Sequence, residues 1–158
     1  MPVGGGGKED KGLAMEDLSL HILDIAENAL RAGAESVVIR LAQSKRQDRL
    51  VLEVEDDGEG MSAENARRSL DPFFTTKRGK RFGLGLPLLA QAAEQAGGNL
   101  EVQSVPGKGT RVTATFGLSH IDRAPLGNLQ ETLQCLRATH PEVRIRFEAV
   151  DLDELRRP

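Results

Sequence analysis

Asp56-Asp57-Gly58-Glu59-Gly60-Met61 decides how this chain folds. Leu50, Leu52 and Val54 alternate just before it, the period of a strand with one buried face. A strand that runs into a carboxylate and two spaced glycines puts a hydrogen-bond acceptor at a tight bend. Glycine lets the backbone turn sharply and come close to a flat ring. A carboxylate accepts hydrogen bonds and cannot donate them. Asp56 can therefore take a bond from an exocyclic amine, and would reject a carbonyl at the same place. D-x-G-x-G alone is also an ordinary acidic turn, so its neighbours carry weight.

Upstream stands Asp24-Ile25-Ala26-Glu27-Asn28-Ala29. Leu18, Ile22, Ile25 and Ala29 recur at helical spacing and predict a helix over about 17–32, with Asp17 as its cap and Gly33 as its stop. Asp24 and Asn28 lie one turn apart on one face. The side-chain oxygen of Asn28 can ligate a hard cation such as Mg²⁺, which keeps several waters beside phosphates. Arg31, a turn further on, can reach a phosphate or stand as a surface arginine.

Downstream come Phe73-Phe74-Thr75-Thr76-Lys77, then Gly83-Leu84-Gly85-Leu86, then Gly107-Lys108-Gly109-Thr110. Ser62 is expected to cap a short helix ending near Leu70. Residues 71–82 have little periodicity and read as a loop over the site, a lid with Lys77, Arg78, Lys80 and Arg81 close together. A second long helix is predicted over 84–96, with Pro87 in its first turn and Gly97-Gly98 at its end. Free amides and the dipole make such a helix start attractive to anions. Leu100 and Val102 begin a strand, residues 106–109 turn, and Val112, Ala114 and Phe116 alternate in its hairpin partner.

Five signals in this order, within roughly 85 residues, resemble the ATP-binding domain shared by histidine kinases, anti-sigma-factor serine kinases, DNA gyrase, MutL proteins and heat-shock chaperones, the GHKL superfamily. The resemblance covers about residues 16–118. It implies the Bergerat ATP-binding fold, with ATP and Mg²⁺ as cofactors. It places the adenine contact on Asp56, within the turn of Gly58, Gly60 and Met61, and the Mg²⁺ ligand on Asn28. Arg31, Thr76, Lys77, Gly83, Leu84, Gly85 and Leu86 fall on the phosphate side. Thr110 could touch the adenine end through its hydroxyl or a water, or belong to a plain hairpin turn. In the hydrolases and serine kinases a glutamate four residues before the asparagine is the general base. Here it is Asp24, one methylene shorter, which leaves a solvated helix residue as the other reading. Phe82 also departs from the family, standing where many relatives have a small hydroxyl residue. The stretch from Asp24 to Ala34 is similar to the MutL form, whereas Gly-Leu-Gly-Leu and the Phe73–Lys77 stretch resemble the kinases.

At 158 residues the chain suits one domain able to bury a core without staples. It has no Trp or Tyr and five Phe, so the core must be aliphatic. A net charge of −3 argues against a general nucleic-acid grip. Cys135 is alone, which excludes an intrachain disulfide and a multi-cysteine zinc site and fits a reducing cytoplasm. No apolar run is long enough to span a membrane, and no signal-peptide core is present. Residues 1–14 read as a flexible leader, 15–118 as the ATP-binding domain, and 119–158 as a helix–strand extension. In the extension, 120–125 link to a helix of about 126–139 with a stripe of Leu126, Leu129, Leu133 and Leu136. Val143, Ile145 and Phe147 alternate in a strand expected to extend a sheet edge within the chain, or across a homodimer. The fold class is α+β: a two-layer sandwich, a mixed sheet with helices on one face.

ATP or ADP is thus the expected ligand. His21, His120 and His140 are the histidines, and none has the His-Glu/Asp-x-Arg/Lys context of a phosphoacceptor. From its length the chain is expected to lack the acceptor hairpin of histidine kinases and the second domain of gyrase and MutL. The expectation is a stand-alone kinase-type ATPase domain acting on or with an unidentified protein partner or phosphoacceptor. The alternative is a non-catalytic nucleotide-sensing subunit of a larger complex.

Overall fold

The computed structural model of the chain describes residues 17–73 and 85–155. The expectations for the leader and for Phe74, Thr75, Thr76, Lys77, Phe82, Gly83 and Leu84 lie outside the described residues. In chain order the elements are α1 (Leu18–Arg31), β1 (Ser36–Ser44), β2 (Arg49–Asp56), α2 (Ala63–Arg68), α3 (Gly85–Gln95), β3 (Asn99–Val105), β4 (Gly109–Gly117), α4 (Leu129–Thr139), β5 (Arg144–Asp151) and α5 (Leu152–Leu155).

The strands form a five-stranded sheet in the order β3-β4-β2-β1-β5. Neighbours are antiparallel except β1 and β5, which run parallel with Val37 opposite Ile145 and Ile39 opposite Phe147. The sheet is therefore mixed, as expected. Strand alternation sends Val37, Ile39, Leu50, Leu52, Val54, Val112, Ala114 and Phe116 to one face, where all are buried under the helices. Among the described residues the buried apolar side chains are aliphatic apart from Phe116, which is 1% exposed and the largest of them. On the opposite face Arg40 of β1 pairs with Glu53 and Glu55 of β2 (2.6 and 3.0 Å) and with Glu148 of β5 (3.1 Å). These half-exposed pairs fix strand neighbours more than they add stability.

α1 follows the expected stripe, burying Leu18, Ile22, Ile25 and Ala29, and Ala26 besides. The Asp17 carboxylate accepts the Leu20 N–H at 3.0 Å. The Leu18 and Ser19 N–H groups donate to the carbonyls of Pro125 and Leu126 (2.8 and 3.1 Å), so the linker satisfies the open end of α1. That use of residues 125 and 126 corrects the expected start of α4. The helix begins at Leu129, because Asn128 caps it by accepting the Glu131 N–H at 3.0 Å. Leu126 stays outside the stripe and is 38% exposed, while Leu133 and Leu136 are buried and Leu129 is partly so. α4 packs on α1 and on β5.

The chain's last described turn is also tied in. The Asp153 carboxylate accepts from the Ser44 hydroxyl (2.7 Å) and from the Lys45 and Arg46 N–H groups (2.8 and 3.2 Å) at the β1–β2 turn. Among the described residues no helix is long and apolar enough to cross a membrane.

Candidate functional site

Two glycine-bearing turns, some fifty residues apart in sequence, lock together at one end of the sheet. Gly60 has φ +72, and a Cβ there would collide with the carbonyl of Val105. Gly109 has φ +121, and a Cβ there would collide with the carbonyl of Asp56. Both positions need glycine for conformation and for space. The Gly107 N–H donates to the Glu59 carbonyl at 2.6 Å, closing the contact. On the other side, the Glu59 N–H donates to the Ala32 carbonyl at the end of α1 at 3.0 Å. The D-x-G-x-G turn is thus pinned between α1 and the β3–β4 turn.

Its two adjacent carboxylates face opposite environments. Asp57 Oδ1 accepts the Glu35 and Ser36 N–H groups, each at 2.9 Å. The Ser36 bond above all, with the Glu35 bond behind it, holds the Asp57 carboxyl below its ordinary value against the opposing effect of desolvation. Asp57 is a brace for the β1 entry. Asp56 points inward. Burial pushes its carboxyl above the ordinary value, opposed by the Gly58 N–H that donates to its Oδ1 at 2.8 Å. A half-buried carboxylate with remaining acceptor capacity is suited to a ligand donor.

Asp56 lines a cavity with Ile25, Asn28 and Ala29 of α1, Met61, Leu86, and Thr110 and Val112 of β4. Gly60 and Glu59 complete the turn side, and Asn65 of α2 and Ala32 close the rim. Its wall is apolar with a few convergent polar groups, the usual make-up of a small-molecule site. Gly58 lies behind the wall, where a Cβ would sit 3.0 Å from both Asp56 Oδ1 and the Ala32 carbonyl. Gly85 starts α3 against α1, with its Cβ direction 3.1 Å from Asp24 Cβ and 3.8 Å from Asn28 Nδ2. The structure therefore brings Asp24, Asn28 and the first turn of α3 side by side. Arg31 Nη2 donates to Asn28 Oδ1 at 2.7 Å.

Sequence reasoning missed Asn65, which lines the cavity, and Ser104, whose hydroxyl holds the Met61 N–H at 2.8 Å. Asn65 carries no local signal beyond its nearness to the turn. Ser104 carries one: it continues the inward face of Leu100 and Val102, where a polar residue needs a partner.

A model of histidine kinase-, DNA gyrase B- and HSP90-like ATPases matches residues 15–120. The chain belongs to this ATPase family. Histidine kinase relatives agree with that assignment. The chain is 33% identical over 104 residues to the sensor histidine kinase YxdK of Bacillus subtilis, covering 63% of this chain and 32% of the relative. It is 38% identical over 89 residues to the alginate biosynthesis sensor protein KinB of Pseudomonas aeruginosa, covering 56% of this chain and 15% of the relative. It is 38% identical over 111 residues to the sensor protein kinase FleS of Pseudomonas aeruginosa, covering 70% of this chain and 27% of the relative. The chain spans less than a third of the length of each of these kinases.

An adenine nucleotide fits the cavity of this ATPase domain by its chemistry. Ile25, Ala29, Leu86 and Val112 offer flat apolar contact for a ring, and Asp56 offers the acceptor for an amine. Mg²⁺ fits in a narrower sense. Among the described residues no group of three or more His, Cys, Asp or Glu could hold a metal. One amide oxygen, Asn28 Oδ1, suits a cation whose other ligands are phosphate oxygens and water.

Proposed function

We propose that this chain is a Mg-ATP-binding module of the histidine kinase type, acting on or with a partner protein. The observation that carries it is the convergence of Asp56, Met61, Asn28, Leu86 and Thr110 on one cavity from four separate parts of the chain. Asp56 would take the adenine amine, the Gly60–Met61 turn and Val112 would hold the ring, and Asn28 would reach the triphosphate through Mg²⁺. When bound, Mg²⁺ supplies charge neutralisation between phosphate oxygens. Arg31, now on Asn28 Oδ1, would turn to a phosphate once that oxygen is taken, and Gly85 and Leu86 would lay the start of α3 beside the phosphates. Thr76, Lys77, Gly83 and Leu84 are assigned to the same end by their motifs.

Mg-ATP or Mg-ADP is expected to stabilise the fold. At a hundred times the dissociation constant, linkage gives about 2.7 kcal/mol, a rise in melting temperature of about 5–10 °C for a chain of this size. GTP should give much less. A melting scan with no response to any adenine nucleotide would remove the basis of the proposal.

Asp24 is the proposed general base of a kinase or slow ATPase. It sits one turn from Asn28 and against Gly85, within the same end of the site. Its shorter side chain favours a second reading, a nucleotide-sensing subunit that binds without turnover. The two residues separate by measurement. Asn28→Ala is expected to weaken Mg²⁺-dependent triphosphate binding by at least about tenfold, the range for losing even an indirect metal partner. Asp24→Asn should spare binding and lower turnover. Unchanged hydrolysis and phosphotransfer in Asp24→Asn would make that residue structural.

A further inference from the structure

Ser104 lies near the end of β3, opposite Thr110 of β4, and is half-buried. Its oxygen meets three groups. It accepts the Met61 N–H at 2.8 Å, lies 3.0 Å from the Gly109 carbonyl, and lies 2.8 Å from Thr110 Oγ1. One set of proton directions makes all three contacts hydrogen bonds. A carbonyl oxygen only accepts, so the contact with Gly109 uses the single hydroxyl proton of Ser104. Nothing remains for Ser104 to give to Thr110. In that set Thr110 is the donor of the 2.8 Å pair, with its own proton given to Ser104.

The consequence reaches the cavity. Thr110 lines it beside its cross-strand partner Asp56. A free threonine hydroxyl rotates to donate or accept as its neighbour requires. This one is left with lone pairs alone, next to a carboxylate that also only accepts. That end of the cavity asks for a donor group from whatever fills it.

We propose that Ser104 is a positioning residue that holds the Thr110 hydroxyl as an acceptor, so that the Asp56–Thr110 wall selects a purine bearing a 6-amino group over one bearing a 6-oxo group. This rests on the adenine-nucleotide function proposed above. The amine has two N–H groups, one for the carboxylate and one for Thr110. A 6-oxo purine would face two acceptors with a third, and a polar site left unpaired discriminates strongly.

The test compares dissociation constants for ATP and inosine triphosphate, measured by calorimetry with Mg²⁺ on the full chain. The wild type should prefer ATP by about a hundredfold or more. In Ser104→Ala the Thr110 proton is released to turn inward, and the ATP preference should fall about tenfold or more. Loss of the Met61 bond would weaken both nucleotides alike, so the ratio is the readout. Ser104→Thr keeps a hydroxyl and should keep the ratio. In a Thr110→Val background, adding Ser104→Ala should change the ratio no further. If Ser104→Ala does not fold, the nearly isosteric pair Ser104→Thr and Ser104→Val carries the comparison, with the ratio kept in the first and reduced in the second. An unchanged ratio in the hydroxyl-free variant, with ATP still bound, overturns the role of Ser104 alone. So does an equal drop in the Thr110→Val background. Failure of the wild type to bind ATP overturns the nucleotide function itself.

Discussion

Asp56→Asn is expected to lower adenine-nucleotide affinity by about 10- to 150-fold. A hydrogen bond to a charged acceptor contributes about 1.5–3 kcal/mol, which converts to that range. The amide also turns a donor toward the adenine amine. The same substitution should leave the nucleotide-free protein at least as stable as the wild type near pH 7. Burial raises the Asp56 pKa above its unfolded value, so between the two values the folded state holds the proton more readily. Stability then falls as pH rises through that window, and the penalty is fully present above the folded pKa. A neutral amide carries no such penalty. The advantage of the variant should vanish as pH drops below about 4, where the unfolded carboxyl is protonated as well. Calorimetric titration and a melting series against pH check both halves. Wild-type affinity in the variant would take Asp56 out of the binding site.

The second large effect belongs to the C-terminal part. Leu136 is 0% exposed and sits in the core with Leu133 and Ile145. Leu136→Ala should cost about 2–5 kcal/mol, lowering the melting temperature by about 5–20 °C. Ile121→Ala, at a side chain 87% exposed, should move stability by less than about 0.5 kcal/mol. Truncation after Leu118 removes β5 and uncovers the edge of β1, an exposed edge that favours aggregation. A truncated chain with wild-type melting temperature, solubility and mass would assign this segment to a partner instead of to the core.

Much of the arrangement is legible in local sequence because local forces decide it. The stripe of Leu18, Ile22, Ile25 and Ala29 and the cap at Asp17 specify α1 with no reference to the rest of the chain. The alternations at 50–54 and 112–116 become the facing strands β2 and β4, with Leu52 opposite Ala114. The cavity residues Asp56, Met61, Asn28, Leu86 and Thr110 were all marked by their motifs. What remained hidden depends on long-range partners. No local signal assigns β5 to β1 over other edges or says that the pairing is parallel. Leu126 fits a helical stripe, yet its carbonyl is used by the Ser19 N–H of α1. Asp57 is chemically identical to Asp56 in sequence, and it takes the N–H groups of Glu35 and Ser36 on one and burial in the cavity wall on the other to separate their roles.

The parallel pairing of β1 with β5 has a consequence for synthesis. Ser36 must wait for Arg144 before that edge of the sheet can close. A ribosome adding about 5–20 residues per second takes roughly 5–20 s to cover the interval. Throughout that time β1 leaves the exit tunnel as an open strand, with a β2 partner on one side and nothing of its own chain on the other. Until residue 144 is made, that edge of the growing sheet has no β5 to cover it, and an open strand edge is where chains pair wrongly.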